Sequence, residues 1–110
     1  MPLSEKARVE VYVPDVPTLA YQNLLDTLEQ EFTYTFGGCT LLRGLHGGYL
    51  SQAGFPIADR INVIYTDASI RFEPNLAALS RFTDELRQAA FEALQEEVVL
   101  VVTHRVYHSS

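Results

Sequence analysis

The chain contains one cysteine, Cys39, and no tryptophan in 110 residues. A lone cysteine cannot close an internal disulfide, which excludes a disulfide-stapled scaffold and leads us to expect a reducing compartment. Apolar stretches are short. The longest, residues 98–102, is flanked by Glu96 and Glu97 on one side and by Thr103, His104 and Arg105 on the other. A bilayer-crossing helix needs roughly 20 apolar residues, so no membrane span is expected. Residues 1–8 mix Glu5 with Lys6 and Arg8 and lack the apolar stretch of a secretory signal, so a cytoplasmic location is expected. Positive charge is scarce as well: 8 Lys and Arg stand against 14 Asp and Glu, a net charge of -6. The cations, Lys6, Arg8, Arg43, Arg60, Arg71, Arg81, Arg87 and Arg105, are scattered. Without a basic face to neutralise phosphates, neither a nucleic acid nor an anionic membrane is an expected partner.

What is present suits a globular domain. The hydrophobic fraction is 47%. A chain of this length folds as one domain, residues 1–110, and buries roughly two-thirds of its unfolded surface without metal or disulfide staples. Residues 8–13 alternate Val with charged or aromatic residues, the period of a half-buried strand. Pro14 and Pro17 end it, and Pro17 delays the next helix. From residue 18 to residue 36 Tyr21, Leu25, Leu28, Phe32 and Phe36 recur at helical spacing, and Gly37-Gly38 supplies the left-handed stop. Residues 39–43 read as a strand and 44–48 as a glycine-rich turn. Residues 49–52 read as a short extra strand or a continuation beyond a kink, 53–56 as a turn, and 59–66 as the clearest internal strand. Residues 67–74 read as a loop, with Asn75 as N-cap of a second helix bearing the stripe Leu79, Phe82, Leu86, Ala90 and Leu94. That helix is expected to end near Leu94. Residues 98–107, rich in Val, form the last strand.

The order is β-α-β-β-α-β. Right-handed crossovers place both helices on one side of one sheet, so the expected fold is α+β: a ferredoxin-like βαββαβ domain, a four-stranded antiparallel sheet with two helices on one face and strand order 4-1-3-2. A closed dimeric barrel built from two such sheets uses the same subunit fold. At Phe36-Gly37-Gly38-Cys39-Thr40, Gly47-Gly48-Tyr49, Gly54 and Asp59-Arg60-Ile61-Asn62 the chain resembles small uncharacterised bacterial ferredoxin-like domain families. The resemblance spans nearly the whole chain through short, mostly structural motifs. It implies the fold and carries no activity with it.

Motifs for chemistry are few. Residues 44–49 lack the Lys-Ser/Thr of a phosphate loop and precede no helix. Ser51, Ser69 and Ser80 have no Gly-x-Ser-x-Gly context. The histidines are His46, His104 and His108, and the last two, four apart on a strand, sit roughly 13 Å apart. With no His-x-Glu or Cys-x-x-Cys spacing, no metal and no cofactor are expected. Cys39 reads as a small buried strand residue.

Strand parity then distributes side chains between the helix-covered face and the open face. Val9, Val11 and Val13 go beneath the helices, leaving Arg8, Glu10 and Tyr12 outside. Placing the polar parity of the other strands with Glu10 gathers Glu10, Tyr12, Arg60, Asn62, Arg105 and Tyr107 on the open face, with Ile64, Val99 and Val101 as its apolar part and Tyr49 at the loop tip. A carboxylate between guanidinium groups can orient an anionic or hydrogen-bonding ligand. The plainer account of the same residues is a cross-strand ion pair or a polar subunit interface. The expected function is a non-catalytic ligand-binding or protein-interaction module. It dimerises through the open face, because exposed apolar area favours burial. The alternative is a small cofactor-free enzyme, isomerase- or lyase-like, with a pocket on that face, Glu10 as general base and Arg60 or Arg105 stabilising an anionic intermediate.

Overall fold

The computed structural model describes residues 3–50, 56–95 and 99–109, and of residues 48–50 and 56–59 the backbone only. Strand β1 (Leu3–Pro14) is followed by helix α1 (Leu19–Phe36), strands β2 (Thr40–Leu50) and β3 (Pro56–Ala68), a 3-10 turn (Glu73–Asn75), helix α2 (Leu76–Leu94) and strand β4 (Leu100–Ser109). The sheet runs β2-β3-β1-β4 with antiparallel neighbours. This is the ferredoxin-like arrangement, with both helices on one face.

The alternation of β1 drives the layering. Ala7, Val9, Val11 and Val13 are buried and join Ile64 of β3 in one core with Leu24, Leu25, Leu28 and Phe32 of α1 and Leu79, Leu86 and Ala90 of α2. Fully burying each large apolar side chain stabilises the fold by about 1.5–3 kcal/mol. Phe32 lies at the centre, its ring 6.0 Å from that of Phe36 and 6.2 Å from that of Phe82. Helix α1 stops at Gly37, whose φ of 87° is left-handed and whose N–H donates to Thr33 O. Helix α2 ends at Leu94 on a left-handed Gln95, φ 56°. Asn75 holds the N-cap position without a side-chain cap; its amide donates to Arg71 O instead.

Several strand boundaries depart from the sequence reading: β1 begins at Leu3 rather than at residue 8, and β4 runs Leu100–Ser109 rather than over 98–107. Residues 44–48 do not turn. Strand β2 passes through them, with an irregularity between Leu42 and Leu45 that absorbs an extra residue. Gly44 sits in it with φ 65°, the conformation glycine supplies at no steric cost. Strand β3 consequently begins at Pro56, and the expected turn at 53–56 falls largely on residues 51–55, outside the described residues. Asp67 and Ala68, read as loop, are the last residues of β3, paired with Arg8 and Ala7.

Candidate functional site

Residues directly opposite in an antiparallel pair share a face. Arg8 lies opposite Asp67 on one side and His104 on the other; Glu10 lies opposite Tyr65 and Val102; Tyr12 lies opposite Val63 and Leu100. His108 is opposite Ser4, two pairs further along β4. All of these side chains therefore project from the uncovered face, and their polar members form one connected network. Arg8 forks onto Asp67, with Nε 2.6 Å from Oδ1 and Nη2 2.9 Å from Oδ2. His108 Nε2 reaches the same carboxylate at 2.6 Å, tying β4 to β3 across the intervening β1. Glu10 accepts the Tyr12 hydroxyl at 2.5 Å and meets His104 Nε2 at 2.8 Å, while Arg8 Nη1 stands 4.0 Å away. The Arg8 guanidinium also lies 4.6 Å above the centre of the Tyr65 ring.

Exposure within the network is graded. The side chains of Asp67 and Glu10 are 12% and 13% exposed, whereas His108 and His104 are 42% and 44% exposed. The carboxylates are thus screened by their own partners and the imidazoles face solvent. The two carboxylates are stabilised as anions by different means. Partial burial alone would push Glu10 up, but the hydrogen bonds from Tyr12 and His104, with the charges of His104 and Arg8, carry it below its ordinary range. The hydrogen bond from Arg8 leads in holding Asp67 down, against burial and with help from His108. Reciprocally, the hydrogen bond to Asp67 raises Arg8, and the bond to Glu10 raises the Tyr12 phenol. Glu10 is committed as an acceptor, an arrangement suited to orienting His104 rather than to abstracting protons itself.

Of the residues singled out in the sequence, Glu10 and Tyr12 sit together on the open face. Four were assigned to that face and lie on the other. Asn62 is opposite Val13 and only 1% exposed. Its Oδ1 accepts the Gly44 N–H at 2.9 Å and its Nδ2 donates to Asp15 Oδ1 at 3.3 Å, tying the β2 irregularity to the segment after β1. Arg60 shares its parity, with Nε 4.0 Å from Asp15 Oδ2. Arg105 is opposite Ala7 and reaches Glu73 and Glu5. Tyr107 is opposite Glu5 and 54% exposed. Ile64 belongs to the core and Val99 and Val101 pack against it, so none forms part of the open face. The register with β1 decides these positions: Asn62, Ile64, Val101, Arg105 and Tyr107 stand opposite Val13, Val11, Val11, Ala7 and Glu5, the β1 parity that faces the helices. The side chain of Tyr49 lies outside the described residues. Cys39 is half-buried, its Sγ 3.9 Å from Glu29 O.

Asp67, His104 and His108 were not among the residues singled out for the site. The i, i+4 spacing of His104 and His108 on one strand face was the available signal, and extending β3 by one residue would have added Asp67. Among the described residues no three metal-ligating side chains converge, and no helix is long and apolar enough to cross a membrane.

The fold and this network define the chain as a small ferredoxin-like α+β protein with a polar network on its uncovered face. No protein-family model and no curated protein matches the sequence. Solved structures do match. The divalent cation tolerance protein CutA1 of Thermus thermophilus superposes with a TM-score of 0.60 at 13% identity, over 96% of this chain and 87% of that one. CutA1 of Oryza sativa gives 0.59 at 15% identity, over 98% and 85%. A phage SAM lyase, solved in complex with S-methyl-5'-thioadenosine, gives 0.52 at 14% identity, over 96% and 90%. At these identities the likeness is one of fold.

Proposed function

We propose that the protein is a non-catalytic interaction module that self-associates, as a dimer, through its open sheet face. The observation that carries this reading is the composition of that face. Arg8 is compensated in the plane of the sheet by Asp67 and Glu10, and Lys6 donates a hydrogen bond from Nζ to the Ser69 hydroxyl. Beside them Leu42, Leu45 and Leu100 are 41%, 39% and 58% exposed. Two cations matched by two carboxylates, rimmed by exposed leucines, suit a second copy of the same surface better than a charged partner of one sign. The area is adequate. Four strands about 4.8 Å apart, with about ten residues at about 3.4 Å each, make a face of roughly 650 Å², or about 1,300 Å² for two copies, within the ~1,200–2,000 Å² of stable interfaces. Two clefts among the described residues lie away from that face. One is on the outside of α1 at Asp26, Glu29 and Tyr34, and the other lies between the helices at Leu24, Leu86 and Ala89.

Sedimentation equilibrium at micromolar to millimolar concentration tests the reading. The wild-type chain is expected to associate reversibly, and Leu42→Glu with Leu100→Glu to remain monomeric with the helical signal intact. A wild-type monomer throughout, or association untouched by both substitutions, contradicts it.

A further inference from the structure

The charge balance of the open face turns on two histidines. Among the described residues β1 presents Lys6, Arg8 and Glu10 there, β3 presents Asp67 and the Tyr65 ring, and β4 presents His104 and His108. The described β2 residues of this face, Thr40, Leu42 and Leu45, carry no charge. His104 faces Glu10 and Arg8; His108 faces Asp67 and, one pair away on β1, Lys6. Arg105, between the histidines in sequence, points to the other face, toward Glu73 and Glu5. With both imidazoles neutral the face carries two positive and two negative charges. Protonating both leaves it with two uncompensated positive charges, on the two most solvent-exposed members of the network.

From this geometry we infer that self-association through the open face is switched off by acid, with His104 and His108 as the proton sensors. The inference rests on the preceding reading that a second copy covers this face. In an isologous interface each copy brings the same pair, so acidification sets like charges against like in a desolvated layer. In the separated chain the same imidazolium ions are welcome: each sits beside a carboxylate, with Nε2 2.8 Å from Glu10 and 2.6 Å from Asp67, and is open to water. Protons therefore bind the separated chain more readily than the pair, and by linkage they drive separation. The side chains that hold the fold, Val9, Val11, Ile64 and Phe32, do not titrate, so the switch acts on assembly while the fold persists.

The experiment is sedimentation equilibrium of the full chain at about pH 8 and about pH 5.5, with far-UV circular dichroism at each pH. The comparison is with His104→Gln/His108→Gln, whose amides keep a donor for each carboxylate and no charge. The wild-type dissociation constant is expected to rise about tenfold or more on acidification, and that of the double variant to stay constant. Equal wild-type affinity at both pH values overturns the switch and leaves the self-association reading standing. PH dependence that survives in the double variant overturns the assignment to these histidines. Loss of the helical signal at about pH 5.5 overturns it too, because the transition would then be unfolding. A chain that is monomeric at both pH values overturns the reading of the face and the switch with it.

Discussion

On one side of β1, Ala7, Val9, Val11 and Val13 are at most 1% exposed and lie beneath two helices. On the other side of the same strand Arg8, Glu10 and Tyr12 are half-buried with no helix above them, covered only by each other and by side chains from β3 and β4. The covered face satisfies itself vertically, by packing a second layer. The open face satisfies its polar groups laterally, within the sheet, and leaves its outward surface without a layer. Lateral pairing protects the carboxylates but does nothing for the exposed leucines beside them. On that difference rests the proposal that a second copy covers the open face.

The comparison can be broken from either side. The largest effect is expected from Phe32→Ala in the covered layer, a loss of about 3–5 kcal/mol in urea denaturation. That loss should be the same at neutral and acidic pH, since apolar contacts do not titrate. A much smaller loss would show that the aromatic cluster of Phe32, Phe36 and Phe82 is loosely packed.

Arg8→Met in the open layer comes next. It leaves Asp67 and Glu10 short of their shared cation and is expected to cost roughly 2 kcal/mol near neutrality. Its cost should be pH-dependent, with a definite sign. Both carboxylates titrate below their ordinary range in the folded chain. Their stabilisation is therefore fully present above the unfolded-state values, near pH 4, and is lost as pH falls through the lower folded-state values. Wild type and Arg8→Met should accordingly converge in stability as pH falls below about 4, as followed by thermal denaturation. A constant gap between them would mean that Arg8 contributes by packing alone.

The smallest effect is a gain. Gln95 adopts a left-handed conformation at the end of α2, where α1 uses Gly37. Gln95→Gly should raise stability by about 0.5–1 kcal/mol in the same assay. A loss would show that the Gln95 amide bond to Glu92 O matters more than the backbone strain.

Much of the covered layer was legible in the sequence. The Val9, Val11, Val13 alternation, the Leu25-Leu28-Phe32 stripe and the Gly37 stop each match one period or one cap, and all three are found. Strand order followed from crossover handedness. The face assignments of β3 and β4 were not legible, because both parities of these strands mix apolar and polar residues. In β3 one set holds Asn62 and Ile64, the other Val63 and Tyr65. A shift of one residue exchanges the faces completely, and only the pairing with β1 decides it. Asn62 is buried because Gly44 N–H and Asp15 need its amide, a long-range demand with no local signature. Glycines in 44–48 read as a turn for a similar reason: an irregular strand and a turn use the same residue.

The most direct test compares the two surfaces in one experiment. In a Cys39→Ser background, a single thiol is placed either on the open face, at Leu42→Cys, or on the outer helical surface, at Ala89→Cys. Its labelling rate is then followed as protein concentration rises. The account predicts that labelling at position 42 slows with concentration while labelling at position 89 does not. Rates at position 42 that ignore concentration, or slowing confined to position 89, would contradict it.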